Sequence, residues 1–203
     1  MSAWTVVVSD AMNTSVIATA VNGIRDMVGS QVAAIRGFDP PIVTPPGSGR
    51  VLNLYARQDL LDVPPRGIVQ FLMGETPVFW GPAVVVPSAS SPGAGPFDTD
   101  RDALERITVL GGEQLLKDTV VAFRLIEEDT DVAAIALEIC TLYAHPALTI
   151  SAANFPNTGA ILSVFYAPEK TLYDALNDLA ETVPGGATAW VDATGAVHFQ
   201  ANP

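Results

Sequence analysis

The stretch that decides the fold of the C-terminal part is Lys170–Gln200, KTLYDALNDLAETVPGGATAWVDATGAVHFQ. Leu172, Ala175, Leu176, Leu179 and Val183 recur at helical spacing and form one apolar stripe. Thr171 followed by Asp174 has the form of a capping box with a shorter acid, and Pro184-Gly185-Gly186 forbids continuation of the helix. Two short strands are then predicted at Ala187–Val191 and Ala196–Gln200, around the loop Asp192-Ala193-Thr194-Gly195. Packing of Leu176 and Leu179 against the hairpin is expected to run through Trp190 and Phe199. The unit is a helix and a hairpin with no recognisable reactive set.

Outward from that unit, composition sets the bounds. The chain has 203 residues, 49% of them hydrophobic, which suffices for one large core or two small ones. Only 16% are charged, against 16 Gly and 16 Pro, which favours short strands and many turns. Ten Lys plus Arg against 22 Asp plus Glu leave a formal charge of −12. Phosphate binding needs clustered bases, so the balance argues against specific nucleic-acid binding. The single cysteine, Cys140, excludes an intrachain disulfide and falls on the apolar side of a helical pattern, as a buried inert thiol does. The longest apolar run, Val78–Val86, is interrupted by Gly81 and Pro82, so no membrane insertion is expected. No segment has the form of a signal peptide, and synthesis in a cytoplasm is expected.

Strand signals dominate the first half. Trp4–Val8, Val51–Tyr55, Gly67–Met73, Thr76–Trp80, Ala83–Val86, Leu104–Val109 and Thr119–Leu125 are predicted strands. Between Ser15 and Ile35 the pattern favours two strands with a turn near Gly29. Gly81 inside a strand pattern predicts a bulge or a sharp bend, as at the corner of a small barrel. Phe38–Arg50 and Pro87–Pro96 are Pro/Gly/Ser-rich loops suited to contacts between subunits. After Glu127 the character changes. Asp129-Thr130-Asp131 caps a helix with Val132, Ile135, Ala136, Ile139 and Leu142 as its buried stripe, ended by Pro146. Strands follow at Leu148–Ile150 and Ile161–Tyr166. The expected fold class is therefore α+β, mainly β: a barrel-like domain over residues 1–125 and a smaller α+β domain over 126–203, with two helices and a C-terminal hairpin.

Candidate chemistry is thin, and no catalytic, cofactor-binding or metal-binding residue is assigned. His145 and His198 lie far apart in sequence, and the acids Glu127, Glu128, Asp129 and Asp131 have the pattern of a solvated helix start. Gly111-Gly112 lacks the Lys-Thr of a phosphate loop, and Ser88, Ser90, Ser91 and Gly47-Ser48-Gly49 lack a nucleophile-elbow setting. Trp4, Trp80 and Trp190 sit in strand-like runs, where burial in a core or an interface is expected.

The order of elements carries a family resemblance. GIVQFLMGETPVFWG, a Pro/Ser/Gly-rich loop, ERITVLGGEQLLKDTVV, then DTDVAAIALEICTLYA and KTLYDALNDLAETVPGGATAWVDATGAVHF together resemble a tailed-phage baseplate hub or tail-tip protein. The resemblance covers Arg50–Phe199. Such hubs usually continue with more β structure, so it implies a shortened hub or one part of a split one. It further implies a non-enzymatic virion protein without cofactors: a homo-oligomeric ring, trimer ahead of hexamer, that joins the tail tube to distal tail proteins around the DNA channel. In that setting Asp98, Asp100, Asp102, Glu127 and Glu128 are candidates to face the lumen and repel DNA. Two other readings keep a place: a carbohydrate- or receptor-binding module using Trp80 or Trp190, and a cell-wall hydrolase with His145 or His198 beside an acid or Cys140.

Overall fold

The structure, a computed structural model, describes residues 3–27, 30–33, 35–39, 50–57, 63–86, 104–126 and 129–203. They fall into two compact units that divide between Gly111 and Gly112. The division at 125/126 expected from composition follows the change in residue type, whereas contacts group the chain from Gly112 onward.

The first unit is one antiparallel sheet of nine strands. In chain order these are β1 (Trp4–Ser9), β2 (Val16–Val21), β3 (Ile24–Met27), β4 (Ser30–Ala33), β5 (Ile35–Phe38), β6 (Val51–Arg57), β7 (Ile68–Met73), β8 (Thr76–Val86) and β9 (Leu104–Leu110). Their spatial order is β4-β3-β2-β1-β7-β8-β9-β6-β5. The two end strands, β4 and β5, are separated by a single residue, and consecutive Cα atoms lie about 3.8 Å apart. The sheet therefore curls so that the chain passes from one end strand to the other, and the Ile35 N–H donates to the Gly23 carbonyl at 3.0 Å. The result is barrel-like without being a closed barrel. The region Ser15–Ile35 holds more strand than expected, because an additional turn forms at Asn22-Gly23, where φ is +50° and +78°.

Alternation places the core inside the roll. Val6, Val8, Ala18, Ala20, Leu52, Leu54, Val69, Phe71, Phe79, Ile107 and Val109 point inward and are buried. Trp4, Phe38 and Phe71 fill one region with ring centroids 4.8–5.9 Å apart. The two predicted segments around Gly81 form one strand, β8. It pairs with β7 as far as Pro82 and with β9 from Ala83 onward. Gly81 thus marks a change of partner. The bulge sits nearby, where the register with β7 shifts between Phe71 and Leu72.

The second unit holds three helices, α1 (Glu113–Asp118), α2 (Val132–Tyr143) and α3 (Leu172–Thr182), with three two-stranded ribbons. β10 (Val120–Ile126) pairs with β13 (Phe165–Thr171), β11 (Thr130–Asp131) with β12 (Ile161–Leu162), and β14 (Ala187–Val191) with β15 (Val197–Ala201). The predicted strand over 161–166 is split at Ser163-Val164, so that its two ends join different ribbons. The predicted strand at Leu148–Ile150 reduces to one bridge between Thr149 and Ala196.

α3 forms as the sequence predicts. The Thr171 side chain accepts from the Asp174 N–H at 3.0 Å, and Gly185 and Gly186 take φ of +83° and +81° just past its end. Leu172, Ala175, Leu176, Leu179 and Val183 are all buried. Across the hairpin, Ala189, Val191, Val197 and Phe199 are buried, whereas Trp190 lies on the opposite face of the ribbon, paired with His198. Phe199 is therefore buried on the inner face of the hairpin and Trp190 is not. On α2, Cys140 is buried as expected, whereas Leu142, expected in the buried stripe, is exposed.

Candidate interaction surfaces

The polar clusters among the described residues tie the backbone rather than present chemistry. Asp131 caps α2 by accepting from the Ala133 N–H at 2.9 Å, and it also accepts from the N–H groups of Thr158 (3.2 Å) and Gly159 (2.9 Å). One carboxylate thus fixes both a helix start and the loop before β12. Asp131→Ala is expected to cost roughly 1–3 kcal/mol, as loss of a cap combined with unsatisfied donors should. Equilibrium urea unfolding checks this, and a change within experimental error would mean that the loop holds itself. Asp129 accepts from the Ser163 hydroxyl at 2.5 Å.

His198 and Asp192 do come together. His198 Nε2 lies 2.9 Å from Asp192 Oδ2, and the imidazole stacks on Trp190 with centroids 4.8 Å apart and planes 7° from parallel. Asp192 Oδ1 accepts from the Thr194 hydroxyl and from the N–H groups of Thr194 and Ala196. Burial, the largest single influence, pushes the Asp192 carboxyl up, but the hydrogen bonds from Thr194, His198 and Ala196 together outweigh it and hold it below the usual carboxylate range. A depressed carboxyl stabilises the fold above its unfolded pKa of about 3.9, and that contribution is lost as pH falls through the lower folded value. The stability difference between wild type and Asp192→Asn should therefore be present at pH 7 and shrink below about pH 4. Denaturant midpoints measured across that range provide the check, and a pH-independent difference would contradict the assignment.

The Thr194 hydroxyl donates to Asp192 and not to His198, so the cluster has the form of a turn lock and not of a nucleophile with its base. The turn is readable in Asp192-Ala193-Thr194-Gly195, whose Asp accepts from its own loop. Its tie to His198 depends on the strand register. Cys140 is buried, and its thiol is pushed up to about 12 by burial. His145 Nδ1 accepts from the Ala147 N–H at 3.2 Å, which closes the turn after α2. Gly112 caps the short α1. Among the described residues no group of three or more His, Cys, Asp or Glu is placed to hold a metal ion, and no helix is long and apolar enough to cross a membrane. Trp80 is buried and offers no ring face to a sugar. Ser48, Ser88, Ser90, Ser91, Asp98, Asp100, Asp102, Glu127 and Glu128, with most of Phe38–Arg50 and all of Pro87–Pro96, lie outside the described residues.

What the described surface does offer is apolar area. On the first unit, Val21 and Ile24 form an exposed cross-strand pair. On the second, Leu125, Ile161, Val164 and Tyr166 are exposed along β10, β12 and β13. Exposed apolar side chains grouped on strand faces are a mark of surfaces that meet other proteins.

No protein-family model matches the sequence, and no curated protein matches it. Solved structures do. The chain aligns with the crystal structure of the 43 kDa tail protein of prophage MuSo2 from Shewanella oneidensis at a TM-score of 0.55 and 11% identity, over 98% of this chain and 54% of that one. The fold is similar to that of about half of this prophage tail protein. A tail protein from Neisseria meningitidis MC58 aligns at a TM-score of 0.49 and 13% identity, over 97% of this chain and 50% of that one. The chain spans about half the length of these two tail proteins. At such identities the likeness is one of fold.

Proposed function

We propose that this chain is a non-enzymatic structural component of a phage tail, a hub-like subunit of the tail tip or baseplate that joins the tail tube to distal tip proteins. The observation that carries the proposal is the alignment of 98% of the chain, through both compact units, with one tail protein. The exposed strand faces and the −12 formal charge support it. A symmetric ring repeats each inter-subunit contact, so modest apolar patches suffice for assembly. An acidic ring wall does not hold DNA, whose duplex carries about one negative charge per 1.7 Å. The virion tail is the site of action in this proposal, with synthesis in the host cytoplasm, and the partners are further copies of the chain and other tail proteins.

Native mass spectrometry of the purified full chain tests the ring. A discrete homo-oligomer is expected, with a trimer ahead of a hexamer. A monomer at every concentration, alone and with co-expressed neighbouring tail proteins, would overturn the hub role.

A further inference from the structure

We infer that Asn22-Gly23, the turn between β2 and β3, is a site of spontaneous covalent modification. Deamidation there, held back by the fold, converts Asn22 to isoaspartate and parts the turn from the end strand β5. The inference concerns the first unit by itself and does not depend on the tail role.

Seven asparagines occur in the chain, and only Asn22 precedes a glycine. Glycine carries no Cβ, so its amide nitrogen approaches the neighbouring side chain unhindered. The fold requires this pair. Both residues hold positive φ, +50° and +78°, as a tight hairpin turn closed by Val21 and Ile24 demands, and Asn-Gly meets that demand at least cost. A Cβ at Gly23 would stand 2.2 Å from the Ile35 carbonyl oxygen, so a side chain has no room there. The Gly23 carbonyl in turn accepts from the Ile35 N–H at 3.0 Å, which ties the turn to β5. The labile pair thus stands where the curled sheet brings a turn and an end strand together.

In the reaction the Gly23 nitrogen bonds to Asn22 Cγ, its proton passes to the carboxamide nitrogen, and ammonia leaves, closing a succinimide ring. Water then opens the ring. Addition at Cγ gives aspartate, whereas addition at the main-chain carbonyl gives isoaspartate, whose backbone runs through Cβ and Cγ and is one atom longer. The structure restrains the first step. Asn22 Oδ1 accepts from the Trp4 N–H at 3.0 Å, and the Asn22 N–H donates to the Trp4 carbonyl at 2.7 Å, so backbone and side chain are both tied to β1. Cγ reaches the Gly23 nitrogen when local opening releases that tie. The two products then differ in effect. Aspartate keeps the chain length and an oxygen for the Trp4 N–H. The extra backbone atom of isoaspartate moves the Gly23 carbonyl away from the Ile35 N–H. Both products add one negative charge, so charge alone would act equally in the two.

The test incubates the purified full chain in mildly alkaline buffer, with and without unfolding urea, and maps it by peptide mass spectrometry that distinguishes isoaspartate from aspartate. Asn22 is expected to convert before every other asparagine in urea, and at least about tenfold more slowly in the folded chain. Earlier conversion of another asparagine in urea would overturn the site, and equal rates in the two conditions would overturn the restraint. The isoaspartate form made in urea is then returned to native buffer, beside unmodified protein and Asn22→Asp taken through the same cycle. It is expected to show a lower thermal midpoint and faster hydrogen exchange at the Ile35 amide, with Asn22→Asp close to wild type in both. An isoaspartate form as stable as the unmodified protein, or an equal loss in Asn22→Asp, would overturn the parting of the turn from β5.

Discussion

Gly81→Ala is expected to destabilise the chain by at least about 4 kcal/mol, enough to leave much of it unfolded or insoluble at 25 °C. A Cβ at Gly81 would stand 1.8 Å from the Leu110 carbonyl oxygen and 3.0 Å from the Gly111 carbonyl carbon. Both are backbone atoms, so no rotamer change relieves the overlap. The contact falls where β8 leaves β7 and takes up β9, and relief would require parting the sheet at the point that keeps it rolled. Gly74 is the control. Its φ is +63° and nothing lies within 4 Å of where its Cβ would stand, so Gly74→Ala should cost only the left-handed penalty of about 1–2 kcal/mol. Chemical denaturation of both variants separates the two causes. A Gly81→Ala protein within about 1 kcal/mol of wild type would mean that the strand exchange is loose enough to absorb a methyl group.

The second large effect concerns α3. Leu179 is fully buried on the apolar stripe, and α3 packs on β14 of the hairpin, whose inner face also holds the fully buried Phe199. Leu179→Ala removes atoms from a packed site that can collapse only in part, so a cost of roughly 2–5 kcal/mol is expected. Trp190→Ala, on the other face of the same hairpin, should cost less, because its ring is only half-buried and its stacking partner His198 is held independently by Asp192. A cost below about 1 kcal/mol for Leu179→Ala, or a larger one for Trp190→Ala, would reverse the assigned faces.

The contrast between these two residues shows what sequence can carry. The α3 stripe, its cap and its Gly-Gly stop are local features fixed by a period of about 3.6, and each sits where the sequence places it. In the hairpin the period is two, so its phase decides everything: Val197 and Phe199 point inward, and Trp190 with His198 takes the outer face. On α2 the buried arc includes Ala133 and Cys140, which turns its centre toward Val132 and Ala133 and leaves Leu142 about 100° away. Strand partners outside the C-terminal hairpin were not legible. Nothing local in Trp4–Ser9 says that it lies beside Ile68–Met73, because that pairing is set by the whole roll. The exposed Leu125–Tyr166 face was hidden for the same reason. Both residues are apolar, and only the register of β10 against β13 shows that they face outward together.

A role as a tail component is tested most directly by finding the chain in a particle. Immunogold labelling with an antibody to the purified chain, on intact tailed particles induced from the source strain, reads its position. Label is expected at the distal end of the tail, repeated symmetrically about the tail axis. Intact, infectious particles that carry no label and contain no trace of the chain would contradict the tail role.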